Sequence, residues 1–222
     1  MTIRLAVVNR SSLVSLSDAL RMTAACAAQL RLHACPAWRL PVPEVELVDA
    51  EDLEMGVLAV GLFDSAAEAA GEGCRYSAIL VEPILRAGGG ALTGEGAVSA
   101  ALSAELLAVL GDPSCTRYLR GQDGCEHALE LSAPVEPDSY DLHGVSVASF
   151  ILPSWLGISS TPGEQVDYMH RLARPLELGR SGYDIVRCDG QLSERLGARY
   201  LERRRLDRLQ PASRAARRLQ RR

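Results

Sequence analysis

Gly94 to Pro113 reads GEGAVSAALSAELLAVLGDP, a segment that joins a long helical pattern to a sharply punctuated end. Val98, Ala101, Leu102, Leu106, Val109 and Leu110 recur at the spacing of one helix surface. Gly111 tolerates φ > 0 and Pro113 has no amide to continue the ladder, so Gly111-Asp112-Pro113 stops the helix. One carboxylate, Glu105, stands in it between Ala104 and Ala108. Turned inward, Glu105 is the odd polar group on a buried surface.

Upstream of this helix, Ile3 to Val8 reads as a short buried strand, and Ser12 or Ser15 caps a helix from Leu13 to Leu32 that Cys35-Pro36 ends. That helix is apolar at Leu16, Ala19, Leu20, Met22, Ala25, Cys26 and Leu30, the stripe of an element that covers a sheet. Strands are predicted around Val45–Val48, Gly56–Leu62 and Tyr76–Val81, with a loop over Ala66–Gly71 and a mobile linker at Gly88-Gly89-Gly90. Downstream, short strands fall around Thr116–Leu119, His127–Leu131 and Val145–Phe150, with a turn at Gly121–Gly124. Ile151–Ile158 is irregular, Tyr168–Arg174 reads as helical up to Pro175, Ser181–Cys188 as a last strand, and the chain from Leu192 as one long helix interrupted before Pro211.

The 222 residues, 47% of them hydrophobic, suffice for a sizeable core. No run approaches the roughly 20 apolar residues of a membrane span, and the N-terminal apolar stretch is too short and mixed for a secretion signal. A cytoplasmic or virion location without membrane contact is expected. The six cysteines form no C-x-x-C pair, and the reading is of reduced, partly buried thiols, with Cys115 and Cys125 near enough in sequence to approach one another. All 24 basic residues are arginine. Eleven of them lie between Leu192 and Arg222 against Glu194, Glu202 and Asp207, a net charge of +8 that leaves −12 on the residues before. An arginine-rich end on an acidic body suits an acidic partner, whether nucleic acid, another protein's acidic face or this body itself.

Ser103-Ala104-Glu105-Leu106-Leu107-Ala108, followed by Gly111-Asp112-Pro113, resembles the S-H-E-x-x-E…D-P helix of a zincin-like metallopeptidase-fold family found in phage and bacterial genomes. Ala128-Leu129-Glu130, Pro134-Val135-Glu136, Asp138-Ser139-Tyr140 and Phe150-Ile151-Leu152-Pro153-Ser154-Trp155 follow at the family's spacing. Cys35-Pro36-Ala37-Trp38 resembles its upstream F-A-P-A-W, so the likeness covers roughly Ile3 to Trp155. The resemblance implies an α+β fold, a zincin-like mixed sheet with a long N-terminal helix and a central helix over residues 1–160, whereas the residues beyond it read by their own composition as an irregular extension over 161–191 and a basic helical tail over 192–222. The resemblance also puts Ser77–Val81 at the lip of a cleft.

The departures set the expected chemistry. Ala104 stands where the family has its histidine, Ala108 where it has a second carboxylate and Ala133 where it has the Asp of a C-D-P-V-E run. Zinc needs lone pairs at about 2.0–2.3 Å, which a methyl group lacks, so no metal or cofactor is expected. Glu105 keeps the place of the general base but has no metal-bound water to deprotonate. The leading reading is a catalytically inactive scaffold that binds proteins of a larger assembly, phage particle proteins among them. A hydrolase with an altered ligand set, drawing on Glu105, Asp112, His127, Glu130 and Glu136, is the second. The third is non-specific phosphate contact through Arg203, Arg204, Arg205, Arg217, Arg218, Arg221 and Arg222. Ser103 lacks a histidine that sequence can place beside it, and no G-x-S-x-G elbow is present.

Overall fold

The apolar runs of the first eighty residues form a four-stranded sheet in the computed structural model, which describes residues 3–71, 77–158 and 163–199. The strands are β1 (Arg4–Asn9), β2 (Glu44–Leu47), β3 (Leu58–Phe63) and β4 (Ser77–Leu80), in the order β2-β1-β3-β4. Leu5 pairs with Val45 on one side and Leu58 on the other, Val60 pairs with Ser77, and every pair is parallel. This corrects the mixed sheet that the resemblance implies. Antiparallel neighbours join through tight turns, whereas these strands are linked by crossovers, and the antiparallel strands of the chain form sheets of their own. The architecture is α+β.

Ser15 caps α1 (Leu16–Gln29): its hydroxyl oxygen accepts the Asp18 amide at 3.1 Å. The helix does not stop at Cys35-Pro36. It passes through a π turn (Leu30–Ala34) into α2 (Cys35–Trp38) and ends where Arg39 turns left-handed, at φ 51°. In the π turn the Cys35 amide reaches back five residues to the Leu30 carbonyl, a shift of register that accommodates Pro36, which has no amide to donate.

The central segment folds as α5 (Val98–Gly111), buried on nearly every side, as an evenly apolar helix must be. Met22, Cys26 and Leu30 of the first helix and Leu102, Leu106 and Leu107 of α5 share one core with Leu5, Val7, Val60, Leu62 and Ile79 of the sheet. The other face of the sheet, with Ala6, Val8, Phe63 and Leu80, is covered by Leu53, Val57 and the small residues Ala66 and Ala69. Those alanines belong to α3 (Ala66–Gly71), a helix where a loop is predicted. Its start is fixed by Ser65 accepting the Glu68 amide and Glu68 accepting the Asp64 amide, a variant of the capping box. Between the edge strand β4 and α5 lie α4 (Val81–Arg86) and the glycine triplet. The triplet is packed rather than loose. Val98 donates to the Gly90 carbonyl at 2.9 Å, and a Cβ on Gly89 would meet the Gly96 carbonyl at 2.6 Å.

After α5, β5 (Tyr118–Arg120), β6 (Glu126–Ala128), β9 (Tyr183–Cys188) and β10 (Gln191–Leu196) form an antiparallel sheet in the order β10-β9-β6-β5. A hairpin of β7 (Ser139–Asp141) and β8 (Ser146–Ala148) packs on α5. Two helices predicted here are absent. Gln191–Leu196 is a strand, because Asp189 (φ 49°) and Gly190 (φ 78°) make a left-handed two-residue turn that returns the chain along β9. Tyr168–Arg174 is a chain of turns, held because the Asp167 carboxylate accepts the amides of Met169, Arg171 and Leu172. The rest of the expected basic helix, with all seven arginines named for phosphate or partner contact, lies outside the described residues.

Candidate functional site

Ser103 to Ala108 lie on two turns of α5 with the core on one side and the 131–135 segment on another. The Ser132 hydroxyl donates to the Ala104 carbonyl at 3.4 Å, which sets the neighbouring Ala133, the first residue of a 3-10 turn (Ala133–Val135), beside the helix. Ala108 and Ala133 are buried, and Ala104 is half-buried against the same core. The three alanines therefore border the helix and its facing segment, and each offers only a methyl group. Glu105 is half-buried, with one carboxylate oxygen shut off from solvent.

The groups considered for a replacement metal site do not converge. Asp112 is fully buried and accepts the Arg117 amide at 2.7 Å, closing the end of α5. Glu130 is buried and Glu136 half-buried. Among the described residues no group of three or more His, Cys, Asp or Glu side chains is placed to hold a metal ion. The donor set does not fit zinc.

Ser103 is committed elsewhere. Its hydroxyl donates to the Gln29 side-chain oxygen at 2.6 Å and accepts the Ala148 amide at 2.9 Å, while the Gln29 amide donates to the Ala148 carbonyl at 2.7 Å. Ser103 and Gln29 are both fully buried, so this knot fastens the first helix, α5 and β8 and engages the Ser103 hydroxyl as both donor and acceptor. Gln29 also reaches the Tyr140 hydroxyl at 3.1 Å, and that hydroxyl lies 2.8 Å from His33 Nδ1. His33 stacks on Tyr168, which stacks in turn on Phe150, with ring centres 4.9 Å apart in both pairs. Burial lowers the His33 pKa and raises that of Tyr140, so both stay neutral near pH 7.

A charged cluster surrounds His127, which the sequence offers only as a member of an altered ligand set. It is 1% exposed. Nδ1 lies 2.8 Å from Asp184 Oδ2 and Nε2 lies 3.0 Å from Asp123 Oδ1. The β6–β9 register explains the meeting: His127 faces Val186, and Asp184 is the diagonal neighbour two residues along the same face. Arg195, the cross-strand partner of Asp184, donates to the same Oδ2 at 3.3 Å. Gly121 is required beneath the ring, because a Cβ there would come within 2.6 Å of Nε2. Burial alone would lower the His127 pKa, but Asp184 and Asp123 more than offset it and raise it above 6.5. Burial would raise Asp123, and its bonds from His127 and the Cys125 amide bring it below the ordinary value instead. The carboxylates face opposite edges of one ring. What they can share is a proton: in the protonated ring both nitrogens donate, Nδ1 to Asp184 and Nε2 to Asp123.

Cys125 and Cys188 join in a disulfide at this same strand junction, which corrects both the reduced-thiol reading and the approach of Cys115 to Cys125. Cys26, Cys35 and Cys115 are free and buried. Sequence reasoning missed Asp123, Asp184 and Arg195. The Asp189-Gly190 pair was a signal for the Arg195–Asp184 pairing alone, since it folds β10 onto β9. No family model, curated protein or solved structure matches the chain.

Proposed function

We propose that this chain is a catalytically inactive, zincin-like scaffold that serves as a structural or binding component of a larger assembly, with its arginine-rich end as the anchor. A virion-associated accessory protein is the concrete form that the resemblance gives to this reading. The observation that carries it is the donor set: Ala104, Ala108 and Ala133 line the helix and its facing segment with methyl groups, while Asp112, His127 and Ser103 are bound into other networks. The blocks of the resemblance also meet in space, since the Trp38 indole donates to the Ile151 carbonyl at 2.7 Å. That contact supports a shared scaffold and is silent about activity.

Metal analysis of the purified full chain after mild chelation tests the reading. The expected result is no stoichiometric zinc. One firmly held zinc per chain, with a chelator-sensitive hydrolysis lost in Glu105→Gln, overturns it in favour of an altered metal site. The net charge of +8 over residues 192–222 favours a second reading, contact with nucleic acid. Truncation after Arg199 spares β10 and should abolish salt-sensitive DNA binding if that reading holds; unchanged binding dismisses it.

A further inference from the structure

We propose that the β9–β10 hairpin is fastened to β6 by two closures in parallel, the Cys125–Cys188 disulfide and a single proton on His127, so that the junction opens only when both are undone. The backbone pairing between β6 and β9 is short, two register pairs, Glu126 with Arg187 and His127 with Val186. The two closures sit directly at it. The disulfide joins the residue before β6 to the last residue of β9, and His127 of β6 holds Asp184 of β9.

Among the described residues, three charged groups bond to the ring or to its partners. The 121–124 turn supplies Asp123, β9 supplies Asp184 and β10 supplies Arg195, whereas β5 sets Leu119 opposite and the neighbouring 3-10 turn (Pro153–Leu156) sets the edge of Trp155 against it. Glu126 is taken up by Arg187 at 2.7 Å. As an imidazolium, His127 donates to both aspartates. As a neutral ring it has one N–H, and Asp184, whose side chain is 1% exposed, has the stronger claim on it. Nε2 would then turn a lone pair on Asp123, which at 37% exposure can swing into water. Asp184 would keep only Arg195, 3.3 Å away and itself 38% exposed, as counter-charge. A buried carboxylate stripped of its buried cation destabilises whatever holds it there. While the disulfide is intact the strands stay joined regardless; once it is broken, the proton decides. The hairpin is the last described element before the arginine-rich residues 200–222, so the junction governs the platform from which that segment departs.

The test is amide exchange on the full chain, as protection factors for β6 and β9, in the disulfide-intact protein and in Cys125→Ser/Cys188→Ser. Serine removes the thiols, whose own titration would confuse the reading. At about pH 5.5 and about pH 9 the intact protein, and at about pH 5.5 the double variant, should agree within about threefold, and the double variant at about pH 9 should lose about tenfold or more. Equal protection in all four states overturns the proposal, as does opening of the intact protein by pH alone or of the double variant at both pH values. If the double variant does not fold, nuclear magnetic resonance titration of the His127 ring in the intact protein decides. A ring that titrates above 6.5, and lower in Asp123→Asn, supports the proposal; one that titrates at or below 6.5 overturns it.

Discussion

Beneath the first helix and α5 the chain buries Leu5, Val7, Met22, Leu30, Val60, Leu62, Leu102, Leu106 and Leu107 in one continuous core, whose buried polar side chains include the small knot of Gln29 and Ser103. At the antiparallel sheet the cluster that packs on one face has only Ala128 and Ile185 fully buried, with Tyr118, Tyr183 and Leu192 partly covered around them. There a disulfide and a histidine set between two carboxylates bind the strands. The contrast is one of supply. Apolar burial contributes on the order of 25 cal/mol per Å², so a helix layer rich in leucine stays closed on apolar area, whereas a small sheet with little apolar area on that face gains from covalent and charged ties.

The largest effect that could break this comparison is removal of the disulfide. It closes a loop with a sequence separation of 63. Chain entropy then assigns it about 4 kcal/mol, and denaturant unfolding of Cys125→Ser/Cys188→Ser should register a loss of that order. A loss under about 1 kcal/mol would mean that the sheet is carried by its neighbours and that the contrast is false. Leu102→Ala comes next. The side chain is fully buried and the parallel sheet is fixed on its far side, so the cavity cannot collapse and about 3 kcal/mol should be lost. Gln29→Leu is smaller. It removes the acceptor for Ser103 and a donor to Ala148 while refilling the space, for a loss of about 2 kcal/mol. If the leucine variant proved more stable than wild type, the knot would be a relic of function rather than a brace.

The leucine-rich region was also the more legible one. β1, β3 and α5 announce themselves because compact apolar runs and a Gly-Asp-Pro stop are local facts. α3 was hidden by its small residues, although Ser65-Ala66-Ala67-Glu68 carries a capping signature. The π turn could not be read because Pro36 announces a break and tertiary anchoring of Trp38 overrides it. The spacing of Leu192, Leu196 and Tyr200 mimics a helix, yet six residues after a left-handed Asp-Gly turn pair more profitably with a waiting strand. That Ala104, Ala108 and Ala133 carry no lone pair is read from residue identity alone. The His127 cluster depends on a register between strands 57 residues apart in sequence, and no local pattern encodes that.

The smallest effect is the most discriminating, because it has a sign. His127 has its pKa raised in the folded chain, so the stability it contributes is complete below the unfolded value of 6.5 and disappears as pH rises through the folded value. Asp123 is shifted the other way. Its contribution is present above its unfolded value of 3.8 and is lost as pH falls through the depressed folded one. Together they confine the cluster's full strength to a window between those two unfolded values, and thermal unfolding midpoints should fall on the alkaline side first. Asp123→Asn removes one carboxylate from the ring and should flatten that alkaline limb. Beside the leucine core, burial pushes the thiol of Cys26 up to about 12 and lowers the pKa of His33, so neither supplies an alkaline limb near neutral pH. An alkaline limb that survives in Asp123→Asn would therefore have to come from a third place, and the division between a pH-blind core and a proton-held sheet would fail.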